Sequence, residues 1–184
     1  MLNQLIEKLK EKEPNPEKYS VLFREIKIAS KSQLVKEGDH IQHIYFVKHG
    51  CLRLWFNSNG NDITYQFYME NQAVSGFLDE EKSMFTLESI EPSTVVLLKK
   101  SDFEDLLKKI PGLKEEFMDY VIHRLAFYSR LFLSRIKDSP EKRYDLLLKN
   151  NPEILARVPQ HYIATYLGIT PVSLSRIRNR KKKG

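Results

Sequence analysis

A single cysteine, Cys51, is all the thiol chemistry that this 184-residue chain holds. One thiol cannot close a disulfide within the chain, and it cannot supply an all-cysteine iron–sulfur or zinc site. Long apolar runs are missing too: none approaches the roughly 20 residues that cross a bilayer. The start, Met-Leu-Asn-Gln-Leu-Ile-Glu-Lys, reads as a polar amphipathic helix and not as a secretory signal. The expected compartment is the cytoplasm, with no membrane partner. No Ser/His/Asp constellation and no phosphate-cradling Gly loop is present, so neither catalysis nor a cofactor is expected. What is there is an ordinary folding composition, 41% apolar and 29% charged, with a net charge of +6. That charge is uneven. From Ser134 onward stand twelve Lys or Arg against four acids, a net +8, which leaves −2 on the first 133 residues. A near-neutral body with a basic end suits a polyanion partner for the end alone.

The basic end carries the most specific pattern. Ile163 and Leu167 stand four apart and share a helix face. Gly168 follows, where a helix commonly ends in a left-handed residue. Ile169 plugs the turn. Thr170 then offers a cap to a second helix whose first position is Pro171. The spacing predicts a helix-turn-helix. Leu174 and Ile177 mark the buried stripe of its second helix (170–180), and Ala164 is small enough for a close crossing. At about 100° per residue, Val172, Arg176 and Asn179 point away from that stripe, flanked by Ser173, Ser175 and Arg180. Arg pairs with guanine O6/N7 and Asn with adenine N6/N7, each contributing roughly 1–3 kcal/mol of discrimination. Val172, Ser173, Arg176 and Asn179 are the expected base readers. Gln160, His161, Thr170, Arg180, Lys181, Lys182 and Lys183 are the expected phosphate contacts.

Upstream the period changes. A helix over Leu2–Lys10 breaks at Glu13-Pro14-Asn15-Pro16. Strand-like runs follow over Leu22–Ile28, Gln33–Lys36, Ile41–Val47, Leu52–Phe56, Ile63–Met69, Phe85–Ile90 and Thr94–Leu98. Many short strands between turns argue for an antiparallel barrel or roll. Asn59-Gly60 is the firmest hairpin signal. Ser101, with Glu104 three residues on, predicts a capped helix that Pro111-Gly112 interrupts. A longer helix runs from Leu113 to about Lys137, with a short one over Glu141–Lys149 beyond it. The long helix has two apolar stripes: Leu113, Phe117, Tyr120, Phe127 and Leu131 on one side, and Met118, Val121, Leu125, Tyr128 and Phe132 on another. The second stripe is the expected homodimer seam. The predicted class is α+β: an N-terminal antiparallel β-roll with flanking helices (1–111), a long dimerisation helix (112–138) and an all-α helix-turn-helix domain (139–184).

Roll, long helix and helix-turn-helix, in that order, resemble the Crp/Fnr family of bacterial transcription regulators. In the roll the likeness rests on Glu37-Gly38-Asp39, then Ile44-Tyr45-Phe46-Val47 and Gly50-Cys51-Leu52-Arg53-Leu54. In the reader it rests on Ile163, Leu167-Gly168, Thr170, Leu174 and Ser175-Arg176-Ile177. The resemblance implies a cyclic-nucleotide-binding-like roll (a double-stranded β-helix), a homodimer on double-stranded DNA, RNA polymerase as a partner and an unidentified small-molecule effector. Family members that bind cyclic AMP have Gly-Glu-Leu and then an Arg beside Ser or Thr, which grip the ribose and the cyclic phosphate. Here Val74-Ser75-Gly76-Phe77-Leu78 puts Phe77 in place of that Glu. The run Lys82-Ser83-Met84-Phe85-Thr86 has no Arg, and Asp79, Glu80 and Glu81 repel an anion. Cyclic AMP is therefore not the expected effector. Val74, Ser75, Gly76, Phe77, Lys82, Thr86 and Arg124 are the candidate pocket residues. Pro152–Val158 is too short for a strand-rich wing, so the basic tail is the expected substitute.

Other readings attach to other residues. A small-ligand sensor acting through protein partners would make the roll the working part. A cupin-like metal protein would use His40, His43 and His49, but His40 and His43 are three apart and point oppositely on one strand. No metal site is expected there. Trp55, Phe67 and Tyr68 read as core or interface, and Cys51 as a small buried apolar residue.

Overall fold

The computed structural model describes residues 2–75 and 82–183. Two compact units share them. The first comprises residues 1–54 and 67–121, and the second residues 55–66 and 122–184.

Eight strands build the β-structure: β1 (Arg24–Ile28), β2 (Gln33–Val35), β3 (His43–His49), β4 (Leu52–Ser58), β5 (Asn61–Tyr68), β6 (Ala73–Val74), β7 (Thr86–Ser89) and β8 (Ser93–Lys99). They form two four-stranded sheets, ordered β1-β8-β3-β6 and β2-β7-β4-β5. The pairs β1/β8, β2/β7, β3/β6 and β3/β8 are antiparallel. Seven of these strands coincide with the seven predicted runs. The eighth, Ala73–Val74, is two residues long and too short to show a period.

Strands β3 and β8 are apolar on both faces, and the core explains why. Alternate residues of a strand point to opposite sides. Tyr45 and Val47 of β3 join Val95 of β8, Val35, Leu52, Tyr68, Val74 and Leu87 in one buried cluster drawn from both sheets. The intervening Ile44, Phe46, Val96 and Leu98 form a second cluster with Leu5 and Leu9 of α1 (Leu2–Lys12) and with Phe103, Leu106 and Ile110 of α2 (Lys100–Lys109). One face of this sheet therefore meets the other sheet, and the opposite face meets the helices. Phe103 also meets Phe117 edge-on, with ring centroids 5.0 Å apart.

Two turns depend on backbone freedom. Asn59 (φ +53°) and Gly60 (φ +83°) link β4 to β5 with positive φ at both positions, as a tight type I′ hairpin demands. Gly50 (φ +97°) lies between β3 and β4, where a Cβ would stand 2.2 Å from the Ser93 Oγ. No other residue fits there without displacing β8.

The helices differ from expectation at their ends. A 3₁₀ turn over Pro16–Leu22 occupies the stretch after the Pro-rich break. Helix α2 begins two residues early, with Lys99 as its N-cap and no side-chain cap, so the expected Ser101 capping box does not form. The long helix α3 spans Leu113–Lys137, and α4 spans Pro140–Asn150, capped by the Ser139 hydroxyl on the Lys142 N–H at 3.3 Å. Residues 152–157, expected to be a plain connector, form a short helix, α5 (Pro152–Arg157). Then come α6 (Gln160–Tyr166) and α7 (Pro171–Lys183). The basic tail is therefore the last turn of α7 and not a trailing segment.

Candidate nucleic-acid interface

Helices α6 and α7 meet through Ile163, Ala164 and Leu167 on one side and Leu174 and Ile177 on the other, all buried. Ala164, completely buried, permits the close crossing that a larger side chain would block. The turn between the helices satisfies every carbonyl that α6 leaves open. A helix end orphans its last four carbonyls. Here the Ile169 N–H donates to Ala164 O (3.0 Å) and the Gly168 N–H to Thr165 O (3.0 Å), the paired bonds of a Schellman ending with Gly168 at φ +68°. The next two carbonyls take guanidinium groups: Arg135 donates to Tyr166 O (3.0 Å), and Arg143 donates through two nitrogens to Leu167 O (3.1 and 2.9 Å). A third Arg143 nitrogen donates to Asp138 O at 2.6 Å, tying the α3–α4 junction to the same turn. These two arginines were missed in the sequence. Both serve the end of one helix, α6, from 24 and 31 residues away, a separation that no local pattern reveals.

Thr170 caps α7 as its position predicts, its Oγ1 accepting from the Ser173 N–H at 3.2 Å. On the outer side of α7, Val172, Arg176, Asn179, Arg180 and Lys181 are exposed, and Ser173 is half-buried. Gln160, His161 and Thr170 are exposed as well. Arg176 and Asn179 make no hydrogen bond to other described residues. Arg180 and Lys181 do: they pair with Glu141 (2.9 Å) and Asp145 (2.7 Å) on α4. Both pairs are exposed, so a phosphate can compete for either cation. Lys182 and Lys183 fall in the helix's final turn.

A strand hairpin braces the same unit. The Thr64 N–H donates to Thr165 Oγ1 (3.2 Å), and the two threonine hydroxyls lie 2.9 Å apart. Thr165 itself donates to Tyr162 O (3.1 Å), so the proton between the hydroxyls comes from Thr64. Beside this contact Tyr65 stacks on Tyr128, centroids 6.1 Å apart. Burial pushes the phenols of Tyr65 and Tyr166 above their ordinary range.

The expected seam on α3 is only partly aligned. Met118, Leu125 and Phe132 are exposed, together with Ile122, Leu133 and Ile136, which the sequence reading passed over. Val121 and Tyr128 lie off that stripe, half-buried. The exposed apolar positions 118, 122, 125, 132 and 136, with Ser129 between, follow alternating steps of four and three. That is the spacing of a two-helix seam.

Val74 is buried among the core residues of the roll, and Thr86 is buried with its Oγ1 accepting from the Glu37 N–H (3.2 Å). Ser75 and Lys82 are exposed, while Gly76 and Phe77 lie outside the described residues. Arg124 donates to the Tyr128 hydroxyl (2.6 Å) and lies over the Phe127 and Tyr128 rings of its own helix. Among the described residues of the roll, Arg53 is a buried cation, 1% exposed and paired with Glu88 at 2.9 Å. Among the described residues no three His, Cys, Asp or Glu converge as metal ligands. His40 bridges to Lys82 through the backbone, His43 lies against Tyr45, and His49 against Glu70. Cys51, Phe67 and Tyr68 are core, and Trp55 is half-buried.

Residues 25–110 match the family model of the cyclic nucleotide-binding domain. The chain as a whole has the fold of the Crp/Fnr regulators, as the resemblance implied. It superposes on FixK2 from Bradyrhizobium japonicum with a TM-score of 0.78 at 18% identity, covering 88% of this chain and 85% of that one. A CooA variant from Carboxydothermus hydrogenoformans gives 0.69 at 17%, over 89% and 79% of the two chains. The Catabolite Activator Protein of Thermus thermophilus gives 0.54 at 19%, over 96% and 87%. Among curated proteins none matches by sequence. No described helix is long and apolar enough to cross a membrane.

Proposed function

We infer that the chain is a DNA-binding transcription regulator of the Crp/Fnr type, acting as a homodimer on a two-fold site. The observation that carries this reading is the outer side of α7. Arg176 and Asn179 stand exposed opposite the buried Leu174 and Ile177, free of hydrogen bonds to other described residues. A guanidinium and a carboxamide held on a rigid helix suit the major groove. Gln160, His161, Thr170, Arg180 and the lysines to Lys183 supply the phosphate contacts. The seam through Met118, Ile122, Leu125, Phe132 and Ile136 supplies the second copy. Phe77 in place of a ribose-binding Glu, with no Arg in the run from there to Thr86, argues against cyclic AMP as effector.

In vitro selection from random duplexes, followed by binding across a salt series, tests this reading. Affinity falls steeply with salt as released counterions accumulate. Arg176→Ala loses about 1–3 kcal/mol of discrimination at one base position, while Lys181→Ala weakens all duplexes alike. Selection that returns no two-fold sequence, or equal losses on every duplex for Arg176→Ala, refutes the assignment.

A further inference from the structure

The second unit holds a cleft that the DNA-reading face does not use. Its volume is about 480 Å³, inside the roughly 300–1,000 Å³ range of small-molecule sites. Phe127 and Leu131 of α3, with Leu146 and Leu147 of α4, give it apolar walls, and the far end is formed by Tyr166 and Leu167. Leu146 remains 38% exposed there, although it belongs to a helix that buries Leu147 beside it. The charged lining is of one sign. Arg130, Arg135 and Arg143 reach the cleft, and no carboxylate lines it.

The three arginines are not equally occupied. Arg143 spends its nitrogens on the carbonyls of Leu167 and Asp138. Arg135 spends one on Tyr166 O, leaving further donors of its planar fork unused. Arg130 makes no hydrogen bond or ion pair with any described residue. We propose that this cleft binds a small amphipathic anion: an aromatic or acyl body against Phe127, Leu131, Leu146 and Leu147, its carboxylate or sulfonate held by Arg130 and Arg135. Charge complementarity favours such a ligand over a neutral one, because a bidentate guanidinium contact is both stronger and more directional than a neutral hydrogen bond.

Two features make the site consequential. Residues 127, 131 and 134 of α3 face the cleft, whereas 118, 125, 132 and 136 project from the opposite side of the same helix, so pairing through the exposed stripe leaves the cleft open. The cleft also shares Arg135 and Arg143 with the turn between α6 and α7. A ligand that redirects either guanidinium alters how that turn is held.

The test uses the full chain and two fluorescent probes of one shape, 8-anilinonaphthalene-1-sulfonate and the uncharged N-phenyl-1-naphthylamine. The sulfonate is expected to bind one site per chain at least tenfold more tightly than the neutral dye, and decanoate to displace it. Arg130→Met is expected to weaken the sulfonate about tenfold or more and to leave the neutral dye unchanged. Leu146→Trp, which fills the cleft from α4, is expected to abolish both. Equal affinity for the two dyes overturns the proposal, as does sulfonate binding indifferent to Arg130→Met or to Leu146→Trp. Displacement by an acidic amphipathic peptide but not by decanoate overturns it in favour of a protein partner.

Discussion

Arg53 and Glu88 face each other inside the roll, 1% and 8% exposed. Two charges withdrawn from water are costly to separate, because whichever remains keeps its desolvation cost without its partner. Arg53→Leu is expected to destabilise the chain by about 3–5 kcal/mol, and the Arg53→Leu/Glu88→Leu pair by much less. Thermal unfolding of the unaltered chain, Arg53→Leu, Glu88→Leu and the double variant measures the coupling, and additive losses contradict the pairing. The partnership was hidden in the sequence. Alternation from the buried Leu52 puts Arg53 on the opposite face of β4, which normally means solvent, and Glu88 lies 35 residues on in a strand whose neighbour only the sheet order reveals. The exposed side of α7, by contrast, was legible, because helical periodicity alone decides which residues oppose Leu174 and Ile177.

His43 bears on acid stability at the same scale. Burial, then Lys99 and Arg24, hold its imidazolium form down, so its pKa in the fold lies below the ordinary 6.5, with Asp102 opposing weakly. The unfolded chain takes up this proton first. The neutral imidazole's contribution is thus complete above pH 6.5 and is lost as pH falls toward and through the lower folded value. His43→Gln is expected to flatten the unfolding midpoint against pH in that window. An unchanged slope contradicts the assignment.

Among elements, the β4–β5 hairpin does more than close a sheet edge. Its Thr64, fully buried, gives both its N–H and its hydroxyl proton to Thr165, whose own carbonyl takes one of the two Schellman bonds that end α6. Thr165→Val preserves shape and removes the acceptor, and a buried donor left unmet costs about 1–3 kcal/mol. Adding Thr64→Val is expected to restore the hydroxyl share of that loss. Calorimetry on the single and double variants distinguishes this from a simple packing loss, which would be additive. The elements themselves were legible where they are long or bounded by special residues: the 25 residues of α3, the Asn-Gly hairpin, the Gly168 turn. Illegible were β6, too short for any period, and the start of α2, where tertiary packing set the boundary ahead of the Ser101 signal.

At the scale of the whole molecule, the exposed stripe of α3 and the basic end belong to one argument. Leu125 and Phe132 are 66% and 65% exposed, so replacing either costs the single chain little. Leu125→Glu/Phe132→Glu is expected to shift sedimentation from dimer to monomer while leaving the unfolding midpoint of the monomer intact. Affinity for a two-fold duplex should then fall far more than affinity for an isolated half-site, because half-sites roughly 34–36 Å apart reward a joined pair of readers. A variant that remains dimeric removes α3 as the seam. Of the five residues the sequence suggested, Met118, Leu125 and Phe132 are exposed while Val121 and Tyr128 are half-buried, because helical spacing alone does not tell which of two apolar sides the rest of the chain covers.

The hairpin also sets how the molecule can be taken apart. Residues 55–66 are made early in the chain but find their unit only after residue 122. No single scission can therefore release the reading module whole: cutting near residue 121 severs it from a piece of itself. Deletion series that treat the C-terminal third as autonomous will strip Thr165 and Tyr128 of their cover. Joining residues 55–66 to residues 122–184 through a designed linker, and not trimming the chain, is the way to isolate that module.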